Sequence, residues 1–121
     1  MADRIFLANM EFMAHVGAHD EERSERQVIQ IDLEIVTDLR EGGKSDDLAQ
    51  TVDYGEVFKR CRDVVEEGSF NLVEAVAEAV ASNVLAGFTR IESVTVRVRK
   101  PGVPIDGVLD FAGVEIQRSR R

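Results

Sequence analysis

The sequence predicts an α+β protein: an antiparallel four-stranded sheet with two helices covering one of its faces. Three observations carry this. Apolar and polar residues alternate with period two in two separate stretches, residues 27–35 and 94–100. Between them the apolar period lengthens to the helical one, twice in succession. The order is therefore strand, strand, helix, helix, strand, strand, with no repeating strand-helix-strand crossover, and antiparallel pairing is its simplest closure. A chain of 121 residues is long enough for one core and too short for two, so residues 1–121 are expected to form one domain.

The first strand is expected over Arg4 to Phe12, although Ile5 and Leu7 fall on one parity and Phe6 and Phe12 on the other. Gly17 to Glu25 is too polar and too long for a tight hairpin turn and reads as a functional loop. Gln27 to Ile35 alternates without interruption and is the clearest strand. Arg40 to Asp47, with Gly42-Gly43 at its centre, reads as a turn-rich linker. The first helix follows Asp53, with Glu56 three residues on. It carries Val57, Cys61, Val64 and Val65 on one face and closes at Gly68. The second is expected from Asn71, with Glu74 at the matching third position, through Val73, Val76, Val80 and Val84 to Gly87. Strands resume at Val94 to Lys100 and, after a loop around Pro101 to Gly107, at Ala112, Val114 and Ile116. One sheet face is then left uncovered, carrying Gln30, Asp32, Glu34, Thr95, Arg97 and Arg99, to be solvated or closed by assembly into a ring or barrel.

Composition removes several functions. Fifteen Lys plus Arg against 23 Asp plus Glu leave a net charge of -8, which repels a phosphate backbone, so nucleic acid is not expected as a partner. There is no apolar run of about 18 residues and no signal-like core after Met1, so the expectation is a cytoplasmic protein without a membrane partner. The single cysteine, Cys61, flanked by Arg60 and Arg62, cannot form an internal disulfide and reads as a half-buried helix residue in a reducing compartment, with no base to make it a nucleophile. His15 and His19 do not make a metal site, because their spacing suits a helix and this stretch leaves a strand for a loop. No glycine-rich phosphate loop precedes a helix.

Four polar side chains stand out as candidates, each with a bland alternative. Lys100 shares the parity of Val94, Val96 and Val98, so its stem points to the apolar face. Partly desolvated and near Arg97 and Arg99, its basic form would be favoured for general acid/base work; alternatively it reaches back to water. Tyr54, the only tyrosine, sits at a helix start, where a phenol can exchange a proton with a ligand or simply pack. Glu74 is either the partner of Asn71 in an ordinary capping box or a carboxylate accepting two parallel hydrogen bonds from an amino-heterocycle. Glu22 lies in the acidic run Asp20-Glu21-Glu22, ordinarily a solvated loop.

Five segments in order carry a more specific signal. They are Asp3 to Leu7; Gly17 with Glu22 and Gln27; Thr51 to Val57; Phe70 to Glu74; and Val98 to Pro101 with Pro104-Ile105 and Gly113 to Ile116. Together they resemble the dihydroneopterin aldolase family, of the tunnelling fold, essentially end to end. The resemblance implies cofactor-free and metal-free retro-aldol cleavage of dihydroneopterin to hydroxymethyl-dihydropterin and glycolaldehyde, with the pterin ring as electron sink. It implies Lys100 as general acid/base acting through water and Tyr54 as the phenol assisting protonation of the intermediate. Glu74, helped by the Val73 backbone, would anchor the amino-pyrimidine edge, and Glu22 would hold the network around the substrate hydroxyls. It further implies homo-tetrameric rings, often paired into octamers, with Tyr54 entering from a neighbouring chain and the uncovered face lining the barrel.

Many aldolases of the family read Tyr-His-Gly before the loop, where this chain has His15-Val16-Gly17. An aliphatic residue before the glycine also resembles relatives that epimerise the side chain of dihydroneopterin or its triphosphate. Cleavage and epimerisation share the carbon-carbon cleavage step and differ in whether the fragments recombine. The alternatives carried forward are therefore the epimerase and a non-catalytic pterin-binding ring.

Overall fold

The computed structural model describes residues 3–120, with the backbone but not the side chain of Glu22. Five strands, β1 (Arg4–Val16), β2 (Gln27–Val36), β3 (Ser69–Phe70), β4 (Ser93–Lys100) and β5 (Ala112–Ser119), form one sheet in the order β3-β1-β2-β4-β5. Four helices accompany them: α1 (Asp20–Ser24), α2 (Arg40–Ser45), α3 (Tyr54–Glu67) and α4 (Val73–Gly87). The expected four-stranded antiparallel sheet needs correction. The long strands are antiparallel, but β3 adds a fifth that runs parallel to the end of β1, pairing His15 with Ser69 and Val16 with Phe70. Two residues are too few to show any periodicity, so the sequence pattern could not reveal it. The expected linker from Arg40 to Asp47 likewise contains α2 and is followed by a 3-10 turn at Leu48–Gln50, and the loop after Gly17 contains α1.

Alternation decides which face is buried. Ile29, Ile31, Leu33 and Ile35 of β2 and Val94, Val96 and Val98 of β4 are all at most 1% exposed. Burying side chains of this size contributes about 1.5–3 kcal/mol each, which makes a one-residue register slip prohibitive. The parity conflict in β1 is resolved by a bulge between Leu7 and Met10. The extra residue returns Met10, Phe12, Ala14 and Val16 to the core face already used by Ile5 and Leu7. Asn9 takes the left-handed conformation there, φ 54°, which asparagine tolerates better than most residues. Its backbone N–H donates to Asp32 Oδ1 at 2.6 Å.

Helices α3 and α4 close over the buried face. Asp53 caps α3 by accepting from the amides of Gly55 and Glu56, at 3.0 and 3.4 Å. The helix buries Val57, Cys61 and Val65, while Phe58 packs on Phe12 with ring centroids 5.3 Å apart. Cys61 is fully buried rather than half-buried. Helix α4 lays Val76, Ala77, Val80, Ala81 and Val84 into the core, small residues that permit close approach. Gly68 between the helices lets the Phe70 ring lie close, since a Cβ there would stand 2.6 Å from that ring and push it aside.

The opposite face is open and carries paired charge. Arg97 bonds Glu34 and Glu115, both at 2.6 Å. Arg99 spans Asp32 at 2.7 and 3.2 Å, Gln30 at 3.3 Å and Asn9 at 3.2 Å. Hydrogen bonding from Arg99 holds the Asp32 carboxyl below its ordinary value of 3.8.

Candidate functional site

At the end of β4 the chain places Lys100 on the buried parity, 8% exposed. Its Nζ lies 3.4 Å from the Val16 carbonyl, among other contacts. Arg97 and Arg99, expected beside it, have the opposite parity. A strand turns successive side chains to opposite faces, so both guanidiniums lie on the open face in the ion pairs described.

The short parallel strand brings the second group in. With β3 paired to the end of β1, the Gly17 amide donates to the Phe70 carbonyl at 3.0 Å, so the chain from Asn71 onward starts beside Val16 and Gly17. Helix α4 then begins at Val73, with Leu72 in the N-cap position and no side-chain cap bond. The capping box expected of Asn71 and Glu74 is thus not formed. The helix starts two residues later than expected, and Glu74 stands exposed in its first turn, near the positive end of the helix dipole. The first-turn amides of an α-helix, here those of Val73 and Glu74, have no acceptor within the helix.

These pieces line one cleft of about 250 Å³, walled by Gly17 to His19 on one side, by Asn71 to Glu74 on another, and by Lys100 and Pro104 at its end. The Lys100 amine, the exposed Glu74 side chain and the start of α4 share this cleft, a volume suited to a small planar heterocycle with donors and acceptors along one edge. Glu22 belongs to α1, in the loop that forms one wall, but its side chain lies outside the described residues. Among the described residues no three His, Cys, Asp or Glu side chains form a group that could hold a metal ion.

Tyr54 is not in this cleft. It is 63% exposed at the start of α3, where buried Val52 anchors the preceding turn and the Asp53 cap sets the helix entry. It lines a second cleft of about 630 Å³ with Ile5, Leu7, Leu39 and Leu48. Leu7 and Val16 mark the two clefts along β1, nine residues apart, or roughly 30 Å at the rise of an extended strand. One chain therefore cannot bring Tyr54 to Lys100. Sequence reasoning also missed the clasp between His15 and Arg23 at the cleft wall, because its side-chain-to-carbonyl bonds leave no trace in residue spacing.

Residues 5–117 match the model of the dihydroneopterin aldolase family. A dihydroneopterin aldolase of Methylorubrum extorquens is 43% identical over 120 residues, covering 99% of this chain and 92% of the relative. One of Bacillus subtilis is 37% identical over 118 residues, 98% of each chain. The crystal structure of Escherichia coli dihydroneopterin aldolase in complex with neopterin is 32% identical, covers 97% of this chain and 99% of that one, and has a TM-score of 0.89.

Proposed function

The chain belongs to the dihydroneopterin aldolase family, and from that premise we propose that the cleft between Lys100 and Glu74 binds dihydroneopterin and cleaves its side chain. The observation that carries this reading is the convergence of Lys100, Glu74 and the α4 start on one cleft. Glu74 accepts two hydrogen bonds from the amino-pyrimidine edge, and the Val73 backbone completes the recognition. This leaves the hydroxylated side chain of the substrate toward Lys100.

Chemistry then follows from electron flow. Lys100, through a water, removes the proton from the substrate hydroxyl. The oxygen electrons form the carbonyl of glycolaldehyde, the carbon-carbon bond breaks, and its electrons pass into the pterin ring. Protonation of the remaining carbon, assisted by the Tyr54 phenol, gives hydroxymethyl-dihydropterin. Glu22 holds the hydroxyl network. The ring takes up the electron pair, so no metal or separate cofactor has to.

Because the two clefts lie at opposite ends of β1, a complete site needs Lys100 of one chain and Tyr54 of another. We read residues 1–121 as one catalytic domain that works as a homo-oligomeric ring of four chains or a pair of such rings, the open charged face turned to its interior.

Two measurements test this. Purified protein with chelator and no added cofactor is incubated with dihydroneopterin and the products are resolved over time. Equimolar hydroxymethyl-dihydropterin and glycolaldehyde are expected, whereas a dominant side-chain epimer would reassign the activity and an unchanged bound substrate would leave a binding ring. Lys100→Met is expected to lower turnover at least about a hundredfold, the scale of a lost general acid/base. Unfolding and refolding it together with Tyr54→Phe should give activity above the sum of the two variants, since some interfaces then pair an intact Lys100 with an intact Tyr54. A mixture no better than its parts would defeat the shared-site reading.

A further inference from the structure

The His15-Val16-Gly17 segment, where the family commonly has Tyr-His-Gly, is not accounted for by the chemistry above. His15 leaves β1 just before the cleft wall, and its Nδ1 lies 2.8 Å from the carbonyl oxygen of Arg23. A backbone carbonyl only accepts, so Nδ1 carries the proton and donates. Arg23 in turn sends Nη1 back to the Gly17 carbonyl at 2.9 Å and pairs through its other nitrogen with Asp20. The two residues thus close a clasp around residues 17–22. The Arg23 side chain is 25% exposed, sheltered enough for its bonds to outcompete water.

What the clasp encloses gives it a function. Gly17, Ala18 and His19 wall the cleft that holds Lys100 and Glu74, and Glu22 is carried on the same segment. At its other end the Gly17 amide is bonded to the Phe70 carbonyl. Residues 18–21 are all exposed and supply no buried apolar anchor. The His15 and Arg23 side-chain bonds to backbone carbonyls tie it down beside the backbone bonds of Gly17 to Phe70 and Arg23 to His19.

We propose that His15 and Arg23 are positioning residues for the reaction, holding the segment 17–22 against the substrate end of the cleft. The proposal rests on the aldolase reading of that cleft. A segment that is not held must be ordered by the ligand itself, so loosening the clasp raises the concentration of substrate needed more than it slows the bound complex.

The test compares wild type with Arg23→Met, His15→Phe and His15→Asn. Phenylalanine keeps the ring and removes the donor, while asparagine offers an amide N–H close to the position of Nδ1. Steady-state constants for dihydroneopterin, the dissociation constant of neopterin, the hydrogen exchange of amides 18–22 without ligand, and thermal stability are measured on each. Arg23→Met and His15→Phe are expected to lower kcat/KM about tenfold, the scale of one lost hydrogen bond, with most of the change in KM, and to speed exchange of amides 18–22. His15→Asn should return to within about threefold of wild type. If His15→Phe keeps wild-type constants and exchange, or if asparagine does no better than phenylalanine, the positioning role is wrong. If wild type binds neopterin without turning over dihydroneopterin, the catalytic reading fails and the neopterin constants and exchange still decide the clasp. If it does neither, both readings fall.

Discussion

Replacing Glu74 by alanine separates recognition from folding. Had Glu74 been a capping-box partner, its loss would weaken α4, and a fall in ligand binding would be hard to interpret. Instead Leu72 holds the N-cap position without a side-chain bond, and Glu74 is an exposed first-turn carboxylate. Its contribution to the fold is then limited to the interaction with the helix dipole, about 0.3–1 kcal/mol. On the proposed reading the same carboxylate accepts two charge-assisted hydrogen bonds from the ligand, and removing them costs about 1.5–3 kcal/mol. That corresponds to a dissociation constant raised roughly 10- to 150-fold. The assay is paired: neopterin binding by calorimetry, and urea unfolding of the free protein on the same preparations. The expected result is a loss of binding at least about 1.5 times the loss of stability, from the ranges just given. A binding change of only a few tenths of a kcal/mol, or a stability loss exceeding the binding loss, would refute the assignment of Glu74 to the heterocycle edge.

Two further predictions concern the scaffold. Asp32→Asn removes the charge from a pair with Arg99 whose side chains are 24% and 18% exposed, and it is expected to cost about 1–3 kcal/mol, between surface and buried ion pairs. Because the Asp32 carboxyl is lowered by Arg99, its contribution is fully present above the unfolded aspartate value of about 3.9 and fades as pH falls through the lower folded value. The stability gap between wild type and variant should therefore be level above about pH 5 and narrow on acidification; a gap that widens below pH 4 would reverse the sign of the argument. Burial pushes the Cys61 thiol up to about 12, and the thiolate is the reactive form. A thiol reagent at pH 8 should label native protein at least about a hundredfold more slowly than urea-unfolded protein, and equal rates would mean that the core around α3 is open.

Much of the architecture could be read from local pattern. Period-two alternation identified β2 and β4 and put Lys100 on their apolar parity, and the Asp53 cap with its following helical stripe identified α3. These are short-range facts: the pleat and the helix repeat bind neighbouring residues to a face, and the cost of burying the wrong side chain enforces the choice. The motif order also carried the family resemblance, because it is a property of the chain and not of its folding.

What required the tertiary structure is everything that depends on segments far apart in sequence. The parity conflict of Ile5 and Phe12 is resolved by a bulge against the next strand, where Asp32 receives the Asn9 amide. Ser69-Phe70 became a strand only because the end of β1 offered it partners, and that pairing is what sets Glu74 beside Lys100. The start of α4 moved from Asn71 to Val73, freeing the carboxylate, and Arg97 and Arg99 proved to be paired on the far side of the sheet. The clefts of Tyr54 and Lys100, which the proposed reaction joins, lie at opposite ends of β1. Alternation determines which face a residue joins, but only the pairing of distant backbones determines which residues share a cleft, since hydrogen-bond partners in a sheet are chosen across the fold and leave no period in the sequence.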